Sequence, residues 1–336
     1  MFESLPRTEV FDSYWHFAAE RLAIYYRRLG DPAGPWTSNK TLQEYRFTNT
    51  FRASDRVSQY LIREVQYHQS RPQAASEVFF RTMLFKLFNR IATWEAIEHE
   101  LGPITWKEMR IGQIAKVLNR LIESGARIYS AAYIMPSPGF GHRRKHANHL
   151  AMLEKMMADD LPSKLADAKD MKSAYGLMLG YAGLGPFLAF QYTIDLNYSL
   201  LLNFDEDQFV VAGPGALDGI AKCFRGAQAI RPEDIIRFMV EHQDDEFTRL
   251  GLRFEGLFGR KLKLIDCQNL FCEISKYARV AHPDIEGASG RTRIKQRYRP
   301  VESGSSAVPT FPPKWKLRPQ VTVAKGLTQL SMFAQR

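Results

Sequence analysis

Apolar side chains recur at Phe11, Trp15, Ala18, Leu22, Tyr25 and Leu29, a three-and-four spacing that marks one face of a helix. The run Asp31–Pro35 ends it. A second helix is expected over Ala53–His68, with Val57, Tyr60, Leu61 and Val65 on one face. Ser76 opens a strongly apolar helix carrying Val78, Phe79, Met83, Leu84, Leu87, Phe88, Ile91 and Trp94. Thr105 and Glu108 have capping-box spacing before a helix that runs to Ile122. Pro136–Gly141 reads as a loop and His142–Asp159 as a helix, and further helices are expected at about 163–178, 186–194, 215–224, 232–248 and 267–278. Strand signals are few, the best being Gln208–Val211 and Val321–Val323, and no repeat is present. The pattern predicts an all-α core. Its expected parts are a helical subdomain over 1–160, a second over 161–285, and a basic, Pro/Ser-rich extension over 286–336, of which 300–336 wraps the surface irregularly.

Composition narrows this picture. With 336 residues, 45% hydrophobic and 24% charged, the chain can bury a large core without covalent staples. Three cysteines, Cys223, Cys267 and Cys272, make no disulfide framework, which points to a reducing compartment. Glu3, Arg7, Glu9 and Asp12 break up the first residues, so no secretory leader is expected. The twenty-two residues between Lys172 and Asp195 carry no charge, yet their glycines and Pro186 favour two short buried helices over a membrane span. The net charge of +10 sits mostly at the end: residues 287–336 hold ten Lys/Arg against one acid, Glu302. Arg291, Arg293, Lys295, Arg297 and Arg299 alternate with Thr292, Ile294, Gln296 and Tyr298. On an extended segment this row faces a phosphate backbone or, equally, is a solvated tail.

Three constellations bear on chemistry. Gly183 and Gly185 flank Leu184 between two expected helices, as in a helix-hairpin-helix whose glycines let backbone amides approach a phosphate. Asp195 follows at the end of the second helix, where it either stabilises a sugar cation and orients water or simply caps the next helix. Asn49, Arg52 and Arg56 share a helical face bordered by Asp55, suited to a base-binding pocket or to a structural ion pair. Glu273, Lys276 and Tyr277 lie within one turn, as an acid/base or phosphate clamp or as a surface salt bridge. Gly213–Lys222 lacks the GxxxxGK[ST] spacing of a P-loop, and no HxE…CxxC pattern of a zinc deaminase exists. His142, His146 and His149 have ligand spacing but surround Arg143, Arg144 and Lys145, so a basic face is expected instead of a metal site.

At these residues a family resemblance appears. Phe17–Arg28, Pro35-Trp36-Thr37, Arg46–Arg56, Gly185–Gln191, Asp195–Ser199, Gly213–Ala216 and Phe271–Tyr277 resemble the helical alpha-glutamyl/putrescinyl thymine pyrophosphorylase-like domains, which also accompany hydroxymethyluracil-DNA kinases. The resemblance covers roughly residues 11–300 and implies a distant branch of the helix-hairpin-helix DNA glycosylases, some of them acting in phage defence. It places Asp195 at the glycosylase aspartate, and the hairpin holds no lysine for a Schiff-base step. Taken together, the chain is expected to flip and excise a modified pyrimidine such as glucosylated hydroxymethylcytosine from DNA, without cofactor or metal, in the cytoplasm at the nucleoid or on phage DNA. Asp195 is the expected catalytic group, with Glu273 and Lys276 as further candidates. Trp36, Phe47, Tyr192 and Tyr198 are expected to stack on the base, and Asn49 or Gln191 to read it. Arg52, Asp55 and Asn197 complete the pocket, while Gly183, Gly185, Arg291, Arg293, Lys295, Arg297 and Arg299 hold the strand. The alternatives are a transferase that displaces pyrophosphate from an activated hydroxymethyl pyrimidine, served by a separate kinase, and a non-catalytic binder of modified DNA.

Overall fold

The structure is a computed structural model that describes residues 5–108, 110–132, 135–299 and 308–319. Along the chain run α1 (Glu9–Gly30), α2 (Lys40–Glu44), α3 (Arg56–Tyr60), α4 (Ala75–Phe88), α5 (Ile91–Leu101), α6 (Ile111–Glu123), α7 (Lys145–Ala158), α8 (Leu161–Ala166), α9 (Met171–Leu179), α10 (Pro186–Asn197), α11 (Pro214–Cys223), α12 (Pro232–Glu241), α13 (Gln243–Arg249) and α14 (Leu264–Ala281). Among the described residues there is no strand, only the isolated bridges Arg7–Phe224, Tyr45–Arg297 and Leu257–Arg260. The fold is therefore all-α. No helix among the described residues is long and apolar enough to cross a membrane.

Local chemistry sets the helix ends. The Thr8 hydroxyl accepts the Val10 amide at 3.2 Å to start α1, and Asp170 accepts the Ser173 amide at 2.7 Å to start α9. Proline stands at the first turn of α10, α11 and α12, where its missing N–H costs nothing.

Several expectations are corrected. The apolar run after Ser76 is two helices, because Asn89 takes a left-handed conformation (φ 49°) and closes α4 before α5 begins. At Thr105 the hydroxyl meets the Glu108 amide at 3.4 Å, but this pair closes only a turn and α6 starts at Ile111. Ala53–His68 is a composite: a 3-10 turn at Arg52–Ser54, α3, then Leu61–Gln66 wound as a π-helix, with Tyr67 donating to the Ile62 carbonyl. The span 163–178 divides into α8 and α9, and 232–248 into α12 and α13. Gln208–Val211 is irregular, while Val321–Val323 lies outside the described residues.

The chain forms two compact units. One comprises the described residues of Met1–Asp55, Val210–Pro309 and Lys316–Arg336. Its core gathers Phe11, Tyr14 and Trp15 of α1 against Phe224, Phe271 and Phe247, with ring centroids 5.2, 4.9 and 5.0 Å apart. In it α11 lies directly against α14: a β-carbon on Gly219 would stand 2.7 Å from the Phe271 carbonyl carbon, so only glycine permits this approach. The second unit comprises Arg56–Phe209 and Thr310–Trp315. Phe79, Phe80, Met83, Leu84 and Phe88 of α4 pack there with Leu153, Met156, Leu188 and Tyr192.

Candidate functional site

In the first unit, α14 turns Glu273, Lys276 and Tyr277 toward the loop 45–55. Lys276 Nζ lies 2.7 Å from Glu273 Oε2 and 5.4 Å from the Phe47 ring centroid. The same Glu273 oxygen accepts the Thr48 amide at 3.0 Å, so the carboxylate fixes the loop while holding the ammonium. Phe47 packs edge-on against Phe17 at 5.3 Å, and Asn39 donates to the Tyr277 hydroxyl at 3.0 Å. From α1, Arg21 donates to the Thr48 carbonyl and to Asn49 Oδ1, both at 3.0 Å.

Asn49 is the hub of this loop. Its amide donates to Asp55 Oδ1 at 2.8 Å and its side chain to the Ser54 carbonyl at 2.9 Å. Asp266 takes the Arg52 amide at 3.1 Å on one oxygen and the Lys263 amide at 3.1 Å on the other, which caps α14 and pins the loop to it. With these amides already engaged, no helix forms through Asn49, and the expected face of Asn49, Arg52 and Arg56 does not exist. Arg52 is buried, 3% exposed. Burial pushes the Asp55 carboxyl up to about 6 although the Asn49 amide and the Arg21 and Arg52 charges oppose it. Burial also lowers Arg21, against the pull of Asp55 and Glu273. Trp36 sits in the loop after α1, with Arg28 over its ring at 5.3 Å.

The basic segment runs beside this loop. Arg46 donates to the Gln296 carbonyl at 3.0 Å and Tyr298 to the Glu44 carbonyl at 2.9 Å, an antiparallel bridge between 44–46 and 296–298. Arg291, Arg293, Lys295, Arg297 and Arg299 are all exposed, while Ile294 and Tyr298 are half-buried. Arg297 pairs with Glu44 and stands 5.3 Å over the Tyr45 ring.

In the second unit, Asp195 is fully buried within α10 instead of capping a further helix. Its carboxylate lies 3.2 Å from Lys86 Nζ of α4, and Lys86 donates to Asn89 Oδ1 at 2.8 Å. Gln66, the last residue of the π-helix, donates to the Asp195 carbonyl at 2.8 Å and to Thr82 at 3.2 Å. Gln191 and Tyr192 are each 1% exposed, and the Tyr192 hydroxyl donates to the Lys86 carbonyl at 3.3 Å. Asn197 closes the next turn, accepting the Phe204 amide at 2.8 Å and donating to its carbonyl at 3.1 Å. Tyr198 is buried with its ring edge-on to Trp315 at 5.5 Å. Neither Tyr192 nor Tyr198 offers a free face for stacking unless this packing opens. Gly183 takes a positive φ of 87° in the turn before α10, and Gly185 stands exposed at the α10 N-terminus with no side chain over it. His149 is held between the Tyr129 hydroxyl at 2.7 Å and the Pro136 carbonyl at 2.8 Å, and burial lowers its pKa to about 4. Among the described residues no three His, Cys, Asp or Glu side chains converge as a metal set.

The structure thus joins Phe47, Asn49, Arg52 and Asp55 with Glu273 and Lys276 in one unit, and Gln191, Tyr192, Asp195, Asn197 and Tyr198 in the other. Sequence reasoning missed Arg21, Gln66 and Lys86. The signal for Lys86 was its position as a cation within the apolar run Met83–Phe88.

A family model described as the 5-hmdU DNA kinase, helical domain, matches residues 8–287. A relative named 5-hmdU DNA kinase, from Bacillus phage SP10, is 25% identical over 286 residues, which cover 80% of this chain and 45% of the relative. The chain therefore spans under half the length of that curated relative. No solved structure matches. Residues 8–287 are well over half of the chain and run through both units, and the chain belongs to the family of 5-hmdU DNA kinase helical domains.

Proposed function

We propose that this chain is part of an enzyme system that acts on DNA carrying hydroxymethylated pyrimidines, and that the loop 45–55 with Glu273 and Lys276 receives the modified nucleotide. The observation that carries this reading is the basic segment 291–299, whose backbone is bonded to residues 44 and 46 at the edge of that loop. Five exposed cations there give a strand of phosphates a fixed track leading to the pair. Lys276 supplies a positive charge for a phosphate or a developing oxyanion, and Glu273 a carboxylate that accepts from a hydroxymethyl group. Family membership and the name of the phage relative support the substrate class.

Excision by Asp195 is a narrower form of the reading, supported by the glycine turn before α10. It requires α10 to open, because the carboxylate is wholly buried and paired with Lys86.

The test is binding and product analysis on duplexes that contain hydroxymethyluracil, hydroxymethylcytosine, its glucosylated form or thymine. Salt-dependent binding that favours a hydroxymethylated base, weakened by Lys276→Met and by reversing Arg293, Lys295 and Arg299 together, is the expected result. Free modified base, lost in Asp195→Asn with the fold intact, establishes excision. Equal, salt-insensitive affinity for every duplex overturns the reading.

A further inference from the structure

The basic segment is tied down at its start as well as at its end. Asp218 of α11 accepts the Ser289 amide at 2.7 Å on Oδ1 and the Ser275 hydroxyl on Oδ2. Arg279 of α14 donates to the Arg293 carbonyl at 3.2 Å and to the Ser275 hydroxyl at 3.3 Å, and its guanidinium lies 4.0 Å from Asp218 Oδ2. Lys222 reaches the Ser275 carbonyl at 3.4 Å from the other side. Gly287 sits directly over this group: a β-carbon there would stand 2.8 Å from Asp218 Cγ and 2.8 Å from Lys222 Cε. Asp218 is the neighbour that cannot easily yield, because it is 2% exposed and held on both oxygens, whereas the Lys222 contact is with the flexible end of its side chain. Burial alone pushes the Asp218 carboxyl up, but the bonds from Ser275 and Ser289 outweigh it and hold the pKa below the usual range. The group is an ionised acceptor at neutral pH.

We propose that Asp218 and Arg279 are positioning residues for phosphate binding: they fix the backbone of 287–293, as residues 44 and 46 fix 296–298, so that the cations between form a preorganised rail. The proposal rests on the DNA reading above. Four backbone anchors, at Ser289, Arg293, Gln296 and Tyr298, are spread through a segment whose five cations carry exposed side chains. Alternate residues of an extended chain are about 6.6 Å apart, so five such cations span roughly 26 Å. A loose tail of the same charge would first have to be ordered on binding, losing backbone entropy at every residue it fixes. The rail has met that cost in folding.

Gly287→Ala tests this without emptying the core, since Asp218, Lys222 and α14 stay in place. Amide exchange at Ser289 is expected to quicken at least tenfold, on the order of a broken hydrogen bond, while Tyr298, held by Glu44, stays protected. The slope of log affinity against log salt is expected to shrink by roughly 1 to 2, at about 0.9 for each phosphate no longer neutralised. A role in folding alone would lower the melting temperature and leave that slope unchanged in the folded fraction. Asp218→Asn, which retains one acceptor oxygen, should fall between wild type and Gly287→Ala in both readouts. Faster exchange with an unaltered slope overturns the positioning role, as does unchanged exchange. A wild type that shows no salt-dependent binding overturns the DNA reading itself, and the exchange data then still report on the latch.

Discussion

At the scale of single residues, two titratable groups respond to acid in opposite senses. Asp55 is pushed up to about 6 from 3.8, so the folded state holds its proton more tightly than the unfolded chain. Between about pH 4 and 6 the folded protein binds more protons at this site, and stability falls as pH rises through that window. His149 is lowered to about 4 from 6.5, so there the unfolded state binds the extra proton and stability rises with pH over nearly the same range. The two slopes partly cancel in the wild type and separate on substitution. Asp55→Asn keeps an oxygen for the Asn49 amide and removes the titration. Its melting temperature should therefore gain on wild type steadily from pH 4 to 6 and then hold a constant lead. A lead that does not change with pH would show that Asp55 titrates normally. None of this was legible in the chain: Asp55 was visible as a polar neighbour of Asn49, but the charges that act on it include Glu273 and Arg21, which come from other parts of the chain.

At the scale of elements, periodicity carried the helices well and their breaks poorly. The stripe from Phe11 to Leu29 became α1 almost to the residue, because one face of it meets a continuous core. The run from Val78 to Trp94 read as one helix because buried helices are apolar all round and hide their ends; Asn89 is a weak stop signal that only its left-handed conformation makes decisive. The π-helix at Leu61–Gln66 has no sequence signature of its own. The polar sites were legible as local clusters, but Lys86, the partner of Asp195, lies on a helix more than a hundred residues earlier. Glycines show the same limit. Gly219 and Gly176 both lie inside helices, yet a methyl group on Gly219 meets the Phe271 backbone and one on Gly176 meets nothing within 4 Å. Gly219→Ala should force α11 and α14 apart and cost at least about 1–3 kcal/mol in urea unfolding, whereas Gly176→Ala should stabilise by roughly 0.5–1 kcal/mol. Equal effects of the two substitutions would mean that α11 and α14 do not pack this closely.

At the scale of the whole molecule, each unit is assembled from stretches far apart in the chain, which composition does not reveal. The shortest of these is Thr310–Trp315, six residues that belong to the second unit although their flanks belong to the first. What holds them is specific. Gln59 clasps Thr310 through both backbone groups at 2.9 Å, Trp315 lies edge-on to Tyr198, and Phe311 stacks on Trp315 at 6.3 Å. Lys314 then sets its ammonium against the carbonyls of Asn197, the last residue of α10, and of Ser199 and Leu202 in the chain that follows it. A cation at this end satisfies several orphan acceptors at once, so its loss should exceed that of an ordinary surface lysine. Lys314→Met, close in length and apolar, is expected to cost about 1–3 kcal/mol. The cost should be local: amide exchange in the last turn of α10 should quicken while α14, in the other unit, stays protected. Uniform quickening in both units would mean that the clip supports the molecule as a single cooperative body, and no change in α10 would mean that the ammonium is not what closes the helix.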